Sequence, residues 1–124
     1  MRVLTFQPRF QAAVASGEKK QTIRASARCK PGDELSLRKW KGKPYRSLQL
    51  PLREAVRCTA VKSVQIGLSH DGSRIHITLD DLPLPRHVVD TFALADGFRD
   101  ADDMRAWFEA THDLPFIGEM IQWE

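Results

Sequence analysis

The segment that most restricts the fold is residues 17–24, Gly-Glu-Lys-Lys-Gln-Thr-Ile-Arg, where a helix has to end and a strand has to begin. Apolar residues recur with helical spacing over residues 10–14, just before it. Gly17 can adopt the left-handed conformation that ends a helix, and Thr22–Arg24 is a short strand candidate. Three cations and a hydroxyl therefore meet in one sharp turn, and such a cluster can hold an anion or activate an oxygen nucleophile: Lys19, Lys20, Arg24 and Thr22.

The composition is that of a single globular domain spanning residues 1–124. The chain is 42% hydrophobic and 28% charged, and it contains no apolar run long enough to cross a membrane. Its N-terminus lacks the apolar core of a signal peptide. Cys29 and Cys58 have no metal-type spacing, and two cysteines fit a reducing compartment, with a disulfide as the alternative. We therefore expect a cytoplasmic protein without cofactor or metal.

Charge is distributed unevenly along the chain. Residues 1–62 contain 15 Lys or Arg and 4 Asp or Glu, a net charge of +11, whereas residues 63–124 contain 4 and 12, a net charge of −8. A basic half of this kind attracts a polyanion, and nucleic acid or a nucleotide is the expected partner. The alternative is a pair of oppositely charged solvated faces without a partner.

The apolar periodicity predicts an α+β fold. The alternation of polar and apolar residues predicts strands over residues 3–6, 22–24, 34–38, 55–66, 74–79 and 117–123. Helical spacing predicts helices over residues 8–16, 88–95 and 100–112, the last with Asp100 as its N-cap. Residues 48–54 read as irregular and residues 80–86 as a connection. Five or six short, mostly antiparallel strands with two or three flanking helices suggest a small sheet closing into a barrel.

A basic arm with interleaved aromatics runs from Arg38 to Arg46. It contains Trp40 and Tyr45 among several lysines, a combination that can grip phosphates and stack bases. The alternative is a solvated hairpin tip with Trp40 folded back onto the domain. By contrast, Trp107 and Phe108 have the helical spacing of core residues, and His76 lies on the polar side of its strand.

The motif of residues 17–24 resembles that of the ASCH domain, a branch of the PUA-like β-barrels. The resemblance extends from the Phe6-Gln-Pro-Arg-Phe10 start through Lys30-Pro-Gly-Asp33 and Ala95-Asp-Gly-Phe98 to the closing strand, and it covers nearly the whole chain. It implies a barrel of five or six strands with flanking helices. It also implies a cleft that takes RNA or a modified nucleoside.

One branch of that family, the small amidohydrolases that cleave N4-acetylcytidine to cytidine and acetate, has a similar N-terminal motif. Its lysine and threonine correspond to Lys19 and Thr22, and its glutamate corresponds approximately to Asp96, which is one methylene shorter. The resemblance thus implies catalytic roles for these three residues. Other ASCH proteins are associated with metal-dependent ribonuclease activity or with RNA binding.

Three hypotheses follow from the residues and the resemblance. In the first, Thr22 attacks the acetyl carbonyl and Lys19 is its base. Asp96 then orients the lysine or shuttles a proton, and Arg24 holds a substrate oxygen or pairs with Asp96. In the second, the same cleft binds RNA without turnover. Its contacts to phosphates and bases would then come from Lys20, Arg24, Arg28, Lys30, Trp40 and Tyr45. The third is a ribonuclease, for which the sequence contains no compact carboxylate–histidine metal motif.

Overall fold

The computed structural model describes all residues from 1 to 124. The strands are β1 Arg2–Thr5, β2 Gln21–Arg24, β3 Glu34–Trp40, β4 Gln49–Leu68, β5 Ile75–Leu79, β6 Leu82–Pro83 and β7 Phe116–Trp123. The helices are α1 Pro8–Ser16, α2 Val89–Ala95 and α3 Ala101–Thr111, and a 3₁₀ turn, Arg86–Val88, leads into α2. The fold is α+β, as the periodicity predicts.

One strand, β4, links the two parts of the sheet. It is 20 residues long; its first half pairs with β3 and its second half pairs with β5 and β7. The hydrogen-bonded order is β1-β3-β4-β5-β6, and β7 joins β4 to β2. All pairs are antiparallel except β1 with β3. These pairings do not form a closed ring of strands.

The strand count differs from the prediction of five or six. Residues 49–54, expected to be irregular, extend β4, and the expected connection of residues 80–86 contains the two-residue β6. Pro51 lies within this extension, although proline is rare inside sheets. It is tolerated here because it pairs with Arg38 at a register shift of the β3–β4 ladder.

The helices begin and end close to the predicted positions. Pro8 occupies the first turn of α1, and Asp100 caps α3 by accepting a 2.8 Å hydrogen bond from the Asp103 backbone N–H. His76 is exposed, as its position in the alternation predicts.

The helices cover one core made of 21 buried apolar residues. α1 and α3 are joined at the surface by an ion pair between Arg9 and Asp103, with 2.7 Å between Nη2 and Oδ2. Phe108 of α3 is buried in the core, as its helical spacing predicts, whereas Trp107 is only half-buried against that core. None of the three helices combines the length and hydropathy that a membrane crossing requires.

Gly118 brings β7 close to the end of β2, and it provides a test of the packing. A Cβ added at Gly118 would lie 2.3 Å from the backbone oxygen of Arg24, which cannot move without displacing β2. We expect Gly118→Ala to lower the free energy of unfolding by about 1–3 kcal/mol or more in urea titrations. Gly67→Ala is the matched control, because its Cβ would meet Pro115 at an ordinary 3.6 Å. Equal stability of the two variants would contradict this packing.

Candidate functional site

A cavity of about 480 Å³ opens beside the turn of residues 17–24. Its walls come from the ends of β1 and β2, from α1 and α3, and from the β3–β4 connection. The residues that line it include Thr5, Phe6, Phe10, Lys19, Thr22, Arg24, Trp40, Gly42, Pro44, Tyr45, Asp96, Phe98, Trp107, Phe108, His112 and Phe116.

Lys19 is placed in this cavity by the end of α1. Gly17 has a φ of +84° and donates its N–H to the Val14 carbonyl, which turns the chain away from the helix axis. The backbone N–H of Lys19 then donates to the Ala13 carbonyl at 2.9 Å. Two residues after this anchored turn β2 begins, and its pairing with β7 sets Thr22 opposite Ile121.

Asp96 is placed by a Schellman motif at the end of α2. The N–H of Gly97 donates to the Leu94 carbonyl at 3.0 Å, and the N–H of Phe98 donates to the Ala93 carbonyl at 2.9 Å. Gly97 has a φ of +98°, which favours glycine. Position 97 also has no room for a side chain, because a Cβ there would lie 2.8 Å from the Phe10 ring and 3.1 Å from the Lys19 side chain.

Lys19 and Asp96 meet at the bottom of the cavity. Lys19 Nζ donates to the backbone carbonyl of Asp96 and lies 3.5 Å from its carboxylate Oδ1, with 3% and 4% of the two residues exposed. Gln21 Nε2 also lies 3.5 Å from Oδ1, and the Phe10 ring faces Lys19 Nζ with its centroid at 4.9 Å. Asp96, to which the resemblance assigns the place of the family's glutamate, therefore lies in contact with Lys19.

Burial moves both ionisable groups towards their neutral forms. Desolvation lowers the pKa of Lys19, with Arg24 and Arg9 acting in the same direction and Asp96 opposing. Desolvation likewise raises the pKa of Asp96, opposed by Lys19 and by the hydrogen bond from Gln21. An amine of lowered pKa can accept a proton, which an ordinary surface lysine does not do near neutral pH.

Arg24 is held in place and contacts Thr22. Its Nε lies 3.2 Å from Thr22 Oγ1, its Nη2 donates to the Thr5 carbonyl at 2.8 Å, and its guanidinium carbon lies 5.0 Å from the Phe6 ring centroid. Nη1 has no hydrogen-bond partner. Burial and the nearby Arg2 lower the pKa of Arg24, yet a guanidinium remains charged in proteins. A fixed cation thus lies against the hydroxyl that also lines the cavity.

The outer part of the cavity is formed by the basic arm. The Trp40 and Tyr45 rings lie 5.1 Å apart, and Tyr45 is 85% exposed at the rim. Gly42 and Pro44 line the cavity between them, which leaves the exposed Lys41 and Lys43 beside its mouth. Trp40 is half-buried, so the arm folds over the cavity while Lys41 and Lys43 remain in solvent.

The predicted site residues are only partly brought together. Lys19, Thr22, Asp96, Arg24, Trp40 and Tyr45 share the cavity. Lys20, Arg28 and Lys30 are exposed and lie outside it. Lys20 lies outside the cavity because it precedes β2 and lines a separate depression with Gln122 and Trp123.

Sequence reasoning missed Gln21 and the aromatic wall of Phe10, Phe98 and His112. Gln21 is buried at the end of an otherwise basic turn, and neither its residue type nor its spacing predicts that burial. Phe10 and Phe98 pack edge-to-face with centroids 5.5 Å apart, which sequence spacing cannot show because they lie on different elements. His112 follows a helix whose aromatics read as core, and no motif marks it.

The two cysteines lie near each other but are free thiols in the structure. Burial, together with Cys58, raises the pKa of Cys29 to about 11. No group of three or more His, Cys, Asp or Glu side chains is arranged to hold a metal ion.

The Lys19–Asp96 contact predicts an unusual pH dependence of stability. In Lys19→Met, Asp96 stays buried without its cation, so the pKa of its carboxyl rises further above the usual 3.8. At neutral pH the lone buried charge costs about 3–5 kcal/mol of unfolding free energy. Because the folded state then binds a proton more tightly than the unfolded state, this loss shrinks as the pH falls from the raised pKa towards 3.8.

Urea titrations of Lys19→Met between neutral and mildly acidic pH measure this loss. Lys20→Met is the matched control, since Lys20 is exposed and its replacement leaves Asp96 paired. A deficit of Lys19→Met that is the same at every pH would contradict a buried, uncompensated Asp96.

Comparisons of the chain with protein-family models, with curated proteins and with solved structures found no match.

Proposed function

We propose that the chain is an ASCH-family, PUA-like protein that binds a modified nucleoside in this cavity and hydrolyses its N4-acetyl group. The observation that carries the proposal is the buried contact between Lys19 and Asp96 in a cavity that Thr22 also lines. A nucleophile, a base of lowered pKa and an acid that orients the base are the parts that acyl transfer needs.

The cavity suits a nucleoside in size and lining. Its volume of about 480 Å³ lies in the usual range for small-molecule sites. Its walls include the half-buried ring of Trp107, against which a pyrimidine can stack, beside the buried rings of Phe10 and Phe98. Buried polar groups lie only at the bottom, which suggests that the acetyl amide is directed there.

The first half of the reaction forms an acyl-enzyme. In the fraction of the enzyme whose Lys19 is deprotonated, the Thr22 hydroxyl proton passes to Lys19 Nζ as Oγ1 bonds to the acetyl carbon. The tetrahedral intermediate then collapses: the bond from carbon to N4 breaks, Lys19 returns its proton to N4, and cytidine leaves. In the second half, water adds to the acetyl carbon of the ester and Lys19 takes one of its protons. The bond between that carbon and Oγ1 then breaks, Lys19 returns the proton to Oγ1, and acetic acid leaves.

Arg24 supplies positive charge where the reaction generates negative charge. Its Nε contact to Thr22 Oγ1 favours a developing alkoxide, and the unpartnered Nη1 is available for the oxyanion of the tetrahedral intermediate. The guanidinium needs no reorganisation because Thr5 and Phe6 already hold it.

Asp96 positions the lysine rather than touching the acetyl group. Its backbone carbonyl and its carboxylate both face Lys19 Nζ, so the amine hydrogens are occupied and its lone pair is directed elsewhere. The backbone contact also offsets the shorter reach of aspartate compared with the glutamate of the similar amidohydrolases.

The test is incubation with N4-acetylcytidine, with cytidine release followed by chromatography. We expect turnover by the wild type, a decrease of about 10²–10⁴-fold in kcat for Lys19→Ala, and background rates for Thr22→Ala. Lys20→Ala and Thr78→Ala are matched controls, because neither residue lines the cavity. No release by the wild type, or release unaffected at positions 19 and 22, would overturn the amidohydrolase proposal.

A second candidate function is binding of single-stranded RNA without turnover. It is favoured by the aromatic pair Trp40–Tyr45 at the cavity mouth, flanked by the exposed Lys41 and Lys43. A ribonuclease remains a prediction that no observation favours.

RNA binding predicts a strong dependence on salt. We expect a short single-stranded oligonucleotide to bind at about 50 mM salt and to weaken steeply towards 200 mM, with a log–log slope near −0.7 per phosphate contact. Replacing Lys41 and Lys43 by alanine should reduce that slope, whereas replacing Arg74 and Arg86, which lie outside the cavity, should not. Absence of binding at low salt would exclude this function.

A further inference from the structure

His112 is a cavity-lining side chain that the reaction above does not use. It follows the last turn of α3 and caps it, since its N–H donates to the Phe108 carbonyl at 2.9 Å. The centroid of its ring lies 5.5 Å from that of Phe108, with 33° between the ring planes. The ring meets that of Phe116 edge-on, with 4.8 Å between the centroids. These contacts hold the imidazole in one orientation beside the aromatic wall.

The hydrogen bonds of Thr111 determine which nitrogen of His112 carries the proton. Thr111 Oγ1 lies 2.7 Å from the Trp107 carbonyl and 2.8 Å from His112 Nδ1. A carbonyl can only accept, so the single hydroxyl proton of Thr111 is donated to Trp107. Oγ1 must then accept from His112, which puts the proton on Nδ1 and leaves Nε2 of the neutral ring as an acceptor without a partner.

The exposure of the lining side chains distinguishes the bottom of the cavity from its rim. Lys19, Thr22 and Asp96 are at most 6% exposed and mark its bottom, while His112 and Tyr45 are exposed and mark its rim. Aromatic rings connect the bottom to the rim. Phe10 packs against both Lys19 and Trp107, and the ring centroids of Trp107 and His112 lie 5.7 Å apart. A nucleoside with its acetyl group at the bottom and its base along this wall therefore has its sugar at the rim.

We propose that His112 is a specificity residue, whose Nε2 accepts a hydrogen bond from a ribose hydroxyl of the bound nucleoside. The inference rests on the proposed function for the orientation of the ligand. This role requires an acceptor nitrogen in the ring at position 112. A residue that only packed against Phe108 and Phe116 would not need that nitrogen.

The experiment measures binding of the unacetylated product, so that it does not depend on turnover. Dissociation constants of cytidine, 2′-deoxycytidine and 3′-deoxycytidine are measured by calorimetry for the wild type and for His112→Phe. Phenylalanine keeps an aromatic ring against Phe108 and Phe116 but has no acceptor. We expect wild type to bind cytidine about tenfold more tightly than one of the deoxynucleosides, and the difference to vanish in His112→Phe.

Two further measurements separate the possible outcomes. Thr111→Val removes the hydroxyl that sets the tautomer, and it should reduce the discrimination while leaving the ring in place. Unchanged urea midpoints show that the variants are folded. Wild type that binds all three ligands equally, or discrimination that survives in His112→Phe, would overturn the inference.

The same preparations are assayed with N4-acetylcytidine, which distinguishes the two proposals. Hydrolysis without ribose discrimination leaves the amidohydrolase proposal intact and refutes the role of His112. Ribose discrimination without hydrolysis supports the role of His112 and refutes catalysis. Absence of any nucleoside binding refutes both.

Discussion

The buried contact between Lys19 and Asp96 joins the two halves of the chain. One partner follows α1 in the strongly basic half and the other ends α2 in the acidic half, 77 residues later. Removing two charges from water costs several kcal/mol per ion unless they are well paired, and the 3.5 Å separation of Nζ and Oδ1 is not close pairing. The main-chain acceptor and Gln21 offset part of this cost, and the shifted pKa values reflect the remainder.

Several local preferences are overridden at this site. An aspartate at the C-terminal end of α2 faces the negative end of the helix dipole, and a lysine is almost fully buried beside it. Gly97 adopts a left-handed conformation in a position with no room for a side chain. Such violations are expected where a site is kept for its chemistry, because folding alone would favour apolar residues here. They support an active role for the cavity, and the proposed acyl transfer gives the lysine a use for its lowered pKa.

Much of the local structure could be read directly from residue types. Pro8, Gly17 and Asp100 mark helix ends by mechanisms that act within a few residues, and each lies where the sequence predicts. The extent of β4 could not be predicted, because Pro51 is acceptable only where the ladder of β3 and β4 shifts register. Charge density is visible in a sequence and predicts Lys20, Arg28 and Lys30 as site residues. The direction of a side chain is not visible there, and these three exposed cations lie outside the cavity.

The sequence by itself determined the helix-to-strand turn that presents Lys19, Thr22 and Arg24, since caps, turns and alternation are short-range effects. Tertiary structure alone decided that Asp96 lies against Lys19, that Gln21 supports it, and that Phe10, Trp107 and His112 form one wall. Those neighbours are brought together by packing of α1 and α3 and by pairing of β2 with β7. The physical reason is that burial and proximity, which shift the pKa values and orient the imidazole, depend on residues far apart in the chain.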